Sequence, residues 1–518
     1  MIDYLKIGRA ADLSGTDRKI YRGLEILPAF LSWATLLALL WYSYWRPEGV
    51  AYFIIAFDVY WLLLVFYLSI HLIVSYRKLK ANLAIDWRKK LSDLPPAADR
   101  PSWRSIRHLI ILPTYNETLE VIRPSILSLL DDGFPPEQMI VVLATEERGG
   151  EEAVKNAEAA RNEFAGRFGE FLITVHPDGI VGEIKGKGAN QAWAARQVKE
   201  LIIDKQRLDY DLILVSVFDI DTVVRPGYFS LLTYKFLTVD NPYRASYQPI
   251  PVYFNNIWQA PFFSRVAAAS NTFWQMMQQI RQEKLATYSS HSMTWRALSD
   301  IGFWSTNMVS EDSRIFWHCY CHYGGDYRVE PLHYPVSMDV CMDETRLATA
   351  KNLYKQQRRW GWGVENVPYL IFNFLKKRRE LPLKRTLGLI FVQLYGFHSW
   401  ATNALIIGVI GWMPMLLGGD RFNVTVLSGN LPYITRTLMT IAMIGLVISA
   451  VISTLILPPK PRHYGWTKTL AMVAQWLVLP LSIIVFGSFP GLEAQTRLAF
   501  GKYLGFWVTP KARSERTS

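Results

Sequence analysis

Apolar residues concentrate at the two ends of the chain, whereas the middle alternates short apolar runs with polar, helix-like stretches. Two runs near the N-terminus, residues 27–45 and 50–76, are each long enough to span a membrane, since a span needs roughly 20 residues. Only residues 46–49 separate them, so we predict a hairpin. Further apolar stretches cover residues 383–417, 432–457 and 467–487. The pattern therefore predicts a central domain held between membrane helices.

The central part of the chain has the pattern of an α/β domain. Short apolar runs, typical of buried strands, cover residues 108–113, 139–144, 171–176 and 212–218. Helix-like stretches lie between them, and this alternation predicts a largely parallel sheet covered on both faces. Because such sheets bind ligands at the carboxyl ends of their strands, we expect functional residues directly after the apolar runs.

The charge pattern predicts which side of the membrane the central domain occupies. The net charge is +12, which in a soluble protein would suggest nucleic acid as a partner. Here Lys and Arg cluster beside the apolar spans, at residues 77–80 and 376–379, as is typical of cytoplasmic anchoring. We therefore expect a multi-pass protein of the plasma or inner membrane with a cytoplasmic central domain, and no nucleic-acid partner.

The last apolar stretch does not fit a simple crossing. The loop at residues 458–468 and the C-terminal tail are both basic, so both are predicted to be cytoplasmic. One complete span between them cannot satisfy both. Pro480 and the run at residues 487–491 favour a broken or re-entrant segment, which is tolerated where protein buries the freed backbone.

The strongest local signal for chemistry is the pair Asp219 and Asp221, which follows the apolar run ending at Phe218. Transfer of a sugar from a nucleotide builds negative charge on the departing diphosphate. A divalent cation held by one or two carboxylates and by phosphate oxygens stabilises that charge. Two Asp separated by one residue are also common in solvated turns, so the pair needs support from the rest of the chain.

Two polar turns could meet the donor. Residues 112–117 end the first strand with Thr114, Tyr115 and Glu117, although an ordinary strand-ending turn would look the same. Residues 185–190 open a helix with Lys187 and two glycines, which allow close backbone approach and favour phosphate at the helix N-terminus. The alternative there is a flexible solvated loop.

Two further sites could serve the acceptor. Asp312, within residues 310–312, could take the proton from an acceptor hydroxyl, although the acidic residues could equally cap a helix. Residues 356–360 follow a basic segment; there a Trp could stack on a sugar and an Arg could pair with a diphosphate. A helix lying on the membrane surface would explain the same residues.

Along the chain, the five sites follow one another at residues 112–117, 185–190, 219–221, 310–312 and 356–360. In this order they resemble glycosyltransferase family 2, and most closely its membrane-integrated branch of cellulose, chitin and hyaluronan synthases. The resemblance implies an α/β GT-A domain, a Rossmann-like nucleotide-sugar-binding fold, inserted between α-helical transmembrane segments. It also implies inversion at the anomeric carbon and a requirement for Mg²⁺ or Mn²⁺. Asp219 would contact donor or metal, Asp221 the metal, and Asp312 in the pair with Glu311 would be the base.

The resemblance extends to the acceptor side and the boundaries. Residues Gln356, Arg359 and Trp360 would hold the diphosphate and the acceptor end, and Gln248 matches the family's Gln-Pro position. We predict these segments: a cytoplasmic N-terminal segment (1–26), a transmembrane hairpin (27–76), a connector (77–106), the GT-A domain (107–347), interface helices with the Gln-x-x-Arg-Trp motif (348–384), a transmembrane region (385–488) and a C-terminal tail (489–518).

The sequence departs from the family pattern at three places. Glu146 stands where the family usually has an Asp pair for the nucleobase, and His291 lies where cellulose-synthase-like enzymes have Cys-Gly. The first departure leaves the base open, and the second weakens a cellulose product. In the tail, Thr509 and Lys511 resemble a gating loop that closes over the donor, but they follow the last apolar segment.

Three functions remain to be compared. The leading prediction is polymer synthesis coupled to export, with a UDP-sugar as the favoured donor and a glycan as the acceptor. The second is a non-processive enzyme that adds one sugar to a lipid carrier or glycolipid. The third is a transporter or scaffold with a degenerate catalytic domain, against which the intact Asp219, Asp221 and Asp312 argue. Asp58, inside the second span, is a further candidate, for a sugar path or for a structural pair.

Overall fold

The apolar ends of the chain form long helices in the computed structural model, which describes residues 3–97, 100–505 and 507. Among these residues, five helical segments are long and apolar enough to cross a membrane. They run over Gly15–Trp45, Pro47–Leu83, Leu383–Leu417, Val426–Ile456 and Trp466–Ala499. The arrangement of an α/β domain between such segments confirms the predicted architecture.

The helices of the described residues, in chain order, are as follows. They are α1 (Gly15–Trp45), α2 (Pro47–Leu83), α3 (Trp87–Ser92), α4 (Leu119–Leu130), α5 (Gly150–Phe164), α6 (Lys187–Val198), α7 (Tyr228–Thr238), α8 (Phe262–Gln279), α9 (Trp295–Asp300), α10 (Glu311–His322), α11 (Arg346–Gly361), α12 (Asn366–Lys376), α13 (Leu383–Gly408), α14 (Met413–Leu417), α15 (Gly419–Asn423), α16 (Val426–Ile456), α17 (Trp466–Ala474), α18 (Leu479–Ile483) and α19 (Phe489–Ala499).

Within the described part of the chain, eight strands form one sheet in the order β3-β2-β1-β4-β7-β6-β8-β5. Their bounds are β1 (Arg107–Pro113), β2 (Met139–Glu146), β3 (Glu170–His176), β4 (Ile213–Val217), β5 (Val223–Val224), β6 (Ala245–Val252), β7 (Ser292–Thr294) and β8 (Arg328–Ser337). The first four strands are parallel, as their continuous apolar runs predict. The three-residue β7 is antiparallel to both β4 and β6. Through β7, strands β6 and β8 run in the same direction as the first four. The sheet is therefore largely parallel, as predicted, and only the short β5 and β7, which leave no apolar run in the sequence, run the other way.

Both faces of the sheet are covered. On one face, β1, β2 and β4 pack against helices α6, α9, α10 and α12 in a single buried cluster. On the other, they pack against helices α3, α4, α5 and α7. Two walls of packed side chains hold the strands in place, so the turns at the strands' carboxyl ends start from fixed positions.

Two helices extend beyond the apolar runs that predicted them. Helix α1 begins at Gly15, twelve residues before the predicted span, and there Tyr21 packs edge-on against Phe372 of α12. Helix α2 continues to Leu83, where its buried Leu79 joins a cluster with β6 and α8. Tertiary packing, which hydropathy does not register, extends both helices into the central domain.

The last apolar segment, Trp466–Ala499, is interrupted by a 3₁₀ turn at Gln475–Val478 and a π turn at Ile484–Ser488. Near its start, Arg265 Nε of α8 donates to Gln475 Oε1 over 2.6 Å. Near its end, Arg358 Nη1 of α11 donates to Glu493 Oε1 over 2.6 Å. The interrupted segment is therefore bound to α8 at Gln475 and to α11 at Glu493.

The predicted tail begins inside this last helix. Helix α19 reaches Ala499 and packs on α1, where Ser32 Oγ donates to Gln495 Oε1 over 2.7 Å. Gly361 of α11 also lies against α19: a Cβ on Gly361 would meet Gly491 Cα at 3.2 Å. A hydrogen bond to α1 and a close approach of two glycines at α11 thus hold residues 489–499 against these helices.

Candidate active site

The Asp pair predicted from the sequence lies at the carboxyl end of β4, in the middle of the sheet. A turn closed by Thr222 N–H donating to Asp219 O over 2.8 Å follows the strand. Ser289 Oγ donates to Asp219 Oδ2 over 2.8 Å, and the backbone N–H of Asp339 donates to Asp221 Oδ2 over 3.0 Å. Both carboxylates are thus oriented by neighbours that are distant in the sequence.

Lys187, in the first turn of α6, joins the Asp pair to the second acidic motif. Its Nζ lies 2.7 Å from Asp219 Oδ1 and 2.8 Å from Asp312 Oδ2, and its side chain is only 10% exposed. Burial lowers the pKa of Lys187, but the charges of Asp219 and Asp312 outweigh burial and hold the pKa above its usual value. The ammonium therefore stays charged and forms ion pairs with Asp219 and Asp312, which are far apart in the sequence.

Glu311 and Asp312, adjacent in the first turn of α10, have different surroundings. Glu311 is 2% exposed, and burial, followed by the nearby charge of Asp312, raises its pKa to about 8. Gly188 makes room for it, since a Cβ there would lie 3.1 Å from Glu311 Cγ. The Asp312 side chain is 21% exposed and can meet a substrate. Asp312 is thus the accessible carboxylate of the pair.

His291 lies behind Asp312. Its Nδ1 donates to the backbone oxygen of Tyr288 over 2.9 Å and lies 3.9 Å from Asp312 Oδ1. Burial lowers the pKa of His291, so the ring is neutral near pH 7. The neutral ring therefore packs beside Asp312 and does not add a second positive charge to that of Lys187.

The predicted donor residues meet at the ends of β1 and β2. Glu117 Oε2 accepts from Thr114 Oγ1 over 2.8 Å and from the Tyr115 backbone N–H over 2.7 Å. Arg148 pairs with Glu146 and lies 4.3 Å above the Tyr115 ring. A cavity of about 40 Å³ opens beside this pair, towards the end of β3. The turns after β1 and β2 thus form a polar cleft, and the side chains of Glu117 and Glu146 are bonded to neighbouring groups within it.

The residues of the Gln-x-x-Arg-Trp motif lie on the last two turns of α11. The ring of Trp360 lies 6.4 Å from that of Tyr253, which follows β6. Arg359 is close enough to Glu311 for its charge to lower the pKa of that carboxyl. Gln356 is half-buried one turn earlier. The fold thus brings the motif to the same edge of the sheet as Asp219, Lys187 and Asp312.

Comparison with known sequences gives the family. A sequence model described as glycosyl transferase family group 2 matches residues 214–485, more than half of the chain. The chain belongs to this family. No curated protein matches it by sequence. The membership makes the chain a glycosyltransferase, and it agrees with the α/β domain and with the acidic motifs that follow β4.

Solved structures also align with this glycosyltransferase. The mannosyltransferase PcManGT from Pyrobaculum calidifontis, solved with GDP-Man and Mn²⁺, is 14% identical with a TM-score of 0.41; the match covers 77% of this chain and 99% of that one. TarS 1–349 of S. aureus is 11% identical with a TM-score of 0.34, over 68% of this chain and 91% of that one. These scores are below 0.5, so the assignment rests on the family match.

Gln248 is the predicted residue whose surroundings differ most from expectation. It is fully buried, its Oε1 accepts from the Tyr288 backbone N–H over 2.8 Å, and its Nε2 donates to the Ser289 backbone oxygen over 3.2 Å. These bonds fix the segment that carries Ser289, which in turn orients Asp219. The side chain of Gln248 is therefore buried against the loop that orients Asp219.

Several contributors to the glycosyltransferase site were not predicted. Ser289 and Tyr253 lie in loops with no distinguishing pattern, and only their packing against the Asp pair and Trp360 shows their place. Thr509 and Lys511, predicted to gate the site, lie outside the described residues. Asp58 is buried between spanning helices, remote from the motifs above.

The carboxylates suit a cation that brings its own phosphate ligands. Among the described residues, no group of three or more His, Cys, Asp or Glu side chains could hold a metal ion. Asp219 and Asp221 nevertheless offer carboxylate oxygens at one strand end. Mg²⁺ and Mn²⁺ favour oxygen ligands, and Mg²⁺ is usually held by one or two carboxylates together with substrate phosphates and water. The pair therefore fits a cation that arrives with a diphosphate.

Proposed function

We propose that this glycosyltransferase moves a sugar from a nucleotide-sugar donor, with inversion and with Mg²⁺ or Mn²⁺, onto a growing polysaccharide. The observation that carries the proposal is the position of Lys187. Its ammonium joins Asp219, after the strand end that would hold the donor, to Asp312, the accessible carboxylate of the second motif. A diphosphate and an acceptor hydroxyl would meet at this point.

On the donor side, each group has a defined task. Asp219 and Asp221 hold the cation, which when bound neutralises charge on the diphosphate. Lys187 gives up its bonds to the carboxylates and pairs with a phosphate oxygen, assisted by Arg359. The nucleoside lies in the cleft formed by Thr114, Tyr115, Glu117 and Glu146. A UDP-sugar is the favoured donor.

On the acceptor side, Asp312 acts as the general base. It takes the proton from the acceptor hydroxyl as that oxygen attacks the anomeric carbon. The bond from the anomeric carbon to the phosphate oxygen breaks, and the nucleoside diphosphate leaves with the electron pair. Attack from the face opposite the leaving group inverts the configuration. Glu311 stays protonated beside it at neutral pH, because burial raises its pKa to about 8.

The surroundings of α11 favour a polymer that leaves through the membrane. Gln356, Arg359 and Trp360 would hold the acceptor end, with the Trp360 ring against the sugar. The same helix is bound to α19 through Arg358 and Tyr354, both of which donate to Glu493. An acceptor held on α11 therefore lies next to the interrupted apolar segment. With the basic residues 77–80 and 376–379 beside the spans, we place the domain on the cytoplasmic face of the plasma or inner membrane.

The test is a donor screen. Full-length protein purified in detergent is given UDP- and GDP-sugars with Mg²⁺, Mn²⁺ or a chelator, and nucleotide release is followed. We expect release with one UDP-sugar, only with metal, and release about 10³-fold slower from Asp312→Asn. Release from no donor, together with a cellular phenotype unchanged by Asp312→Asn, would falsify the transferase proposal and leave a transporter or scaffold.

Product size separates the two transferase functions. A long polymer supports the synthase, whereas a lipid carrying one added sugar supports the non-processive alternative. The 3₁₀ and π interruptions of Trp466–Ala499 favour few complete spans after α11, and this keeps the lipid acceptor as the second candidate.

A further inference from the structure

One buried carboxylate outside the predicted motifs binds the segment that carries the base. Glu365 ends a short 3₁₀ turn directly after α11 and is 5% exposed. Its Oε1 accepts from the backbone N–H of Ser310 over 2.9 Å and of Val309 over 3.3 Å, and from the Ser310 hydroxyl. Its Oε2 accepts from Trp362 Nε1 over 2.9 Å. Three of its four donors thus belong to the two residues directly before Glu311.

These bonds hold the two residues that lead into α10. Ser310 is the N-cap residue of α10, but its side chain makes no capping bond to that helix. The first N–H groups of a helix have no partner inside it and need one from outside. Glu365 supplies acceptors for the N–H groups just before the first turn, from a different part of the chain.

The next residue holds the other side of the same turn. Asn366 Nδ2 donates to Ser313 Oγ over 2.8 Å, and Asn366 Oδ1 accepts from Arg314 Nε over 2.6 Å. Arg314 is fully buried, and its Nη2 also donates to the backbone oxygen of Glu365 over 3.3 Å. Residues 309–314, on both sides of Asp312, are therefore fixed to two consecutive residues after α11.

We infer that Glu365 is a positioning residue for Asp312, and this inference rests on the proposed transfer reaction. It does not touch the substrate. It holds the Val309–Ser310 backbone, so that the first turn of α10 places the Asp312 carboxylate 2.8 Å from Lys187 Nζ. Because Glu365 directly follows the helix that carries Trp360, it also fixes the distance between the acceptor-binding helix and the base. An error of about 1 Å at such a group can reduce the rate about 100-fold.

The experiment uses the full-length protein and the nucleotide-release assay, with Glu365→Gln, Trp362→Phe and the double variant. In Glu365→Gln, the amide has one oxygen for two sets of donors, so its NH₂ must face either Trp362 Nε1–H or the Ser310 donors. We expect kcat to fall 10- to 100-fold, with the donor KM within twofold of wild type. Trp362→Phe removes one donor and leaves the Ser310 bonds, so its kcat stays within threefold.

The double variant decides between positioning and general stabilisation. With Phe at 362, the amide NH₂ of Glu365→Gln no longer faces an N–H, and its oxygen can accept from Ser310. We expect kcat to recover at least fivefold over the single Glu365→Gln variant. Glu330→Gln, a similarly buried carboxylate paired with Arg328 on β8, is the matched control and keeps wild-type kinetics.

Three results overturn the inference. The first is a wild-type kcat in Glu365→Gln. The second is a loss of kcat that comes with an equal rise in donor KM and a lower thermal midpoint, without recovery in the double variant. The third is absence of nucleotide release from the wild-type protein with every donor, together with a cellular phenotype that Asp312→Asn leaves unchanged. That result refutes the proposed function as well, and it is established before any Glu365 variant is made.

Discussion

The two halves of the sheet build the site in different ways. In the donor half, β1 to β4 run parallel, and Thr114, Glu146 and Asp219 lie at or within two residues of the strand ends. In the acceptor half, β5 to β8 pair in both directions, and the important groups come from loops and helices between and after them. Ser289, between β6 and β7, donates to Asp219, and Glu365, after β8, accepts from Ser310, the residue before Glu311.

The difference separates binding from chemistry. In the proposed reaction, the donor half supplies the cation ligands and the nucleoside cleft, so changes there should act first on donor affinity. In the same reaction, the acceptor half supplies the base and the residues that hold it, so changes there should act on kcat. Lys187 is the exception, because its one ammonium binds an acidic residue from each half.

The largest effect is expected from Asp312→Asn in the acceptor half. The amide cannot take the acceptor proton, and general-base catalysis contributes about 10²- to 10⁴-fold. We expect kcat for nucleotide release to fall about 10³-fold while donor binding, measured by calorimetry, stays within threefold. Asp17→Asn is the matched control, since Asp17 also pairs with a lysine, Lys376, far from the site. A comparable loss of donor affinity would contradict the division between the halves.

Lys187→Met should disturb both halves. It leaves Asp219 and Asp312 without their shared cation, and breaking a buried ion pair typically destabilises by about 3–5 kcal/mol. We expect a lower thermal midpoint without donor, and a donor KM raised about 100-fold. Lys185→Met, two residues earlier and 59% exposed, should leave both quantities unchanged. A change in kcat alone would place Lys187 with the acceptor half.

The sequence predicts the donor half well because local rules determine it. A continuous apolar run followed by polar residues places Asp219 and Glu146 at strand ends without knowledge of the fold. Lys187 likewise opens a helix after glycine, as its motif indicates. In both cases one stretch of chain contains the whole signal.

The acceptor half and the last membrane segment are less predictable, for a physical reason. β7 has three residues, Gln248 binds the backbone of a loop 40 residues later, and Glu365 binds Ser310, 55 residues before it. Tertiary contacts decide such features. The broken form of Trp466–Ala499 followed from its prolines and flanking charge, but its contacts with α8 and α11 did not.

The third prediction concerns Glu311 and pH. Burial raises the pKa of Glu311 in the folded protein to about 8, well above the ordinary value of 4.5 for Glu. Between these values the folded protein keeps a proton that the unfolded chain has lost. The contribution to stability is therefore complete below about pH 4.5, is lost as pH rises to about 8, and changes no further above it.

The corresponding slope is roughly 1 kcal/mol per pH unit. We expect the thermal midpoint of wild type to fall more steeply between pH 5 and 8 than that of Glu311→Gln, which carries no titrating group at this position. Parallel curves for the two proteins would show that Glu311 is ionised in the folded state, and Asp312 would then lie beside a second negative charge.

The smallest effect is expected at the contact between the halves. Ser289 belongs to the acceptor half, yet its hydroxyl donates to Asp219 Oδ2 over 2.8 Å. Ser289→Ala removes one hydrogen bond to a charged group, worth about 1.5 kcal/mol, or roughly tenfold. Because Asp219 is the group affected, we expect kcat/KM for the donor to fall and the Mn²⁺ concentration needed for half-maximal rate to rise. The value of kcat at saturation should be nearly unchanged. Ser270→Ala, whose hydroxyl binds only a helix carbonyl in α8, is the control. A fall in kcat alone would mean that Ser289 affects proton removal by Asp312 and not donor binding by Asp219. Asp219 would then belong to both halves of the site.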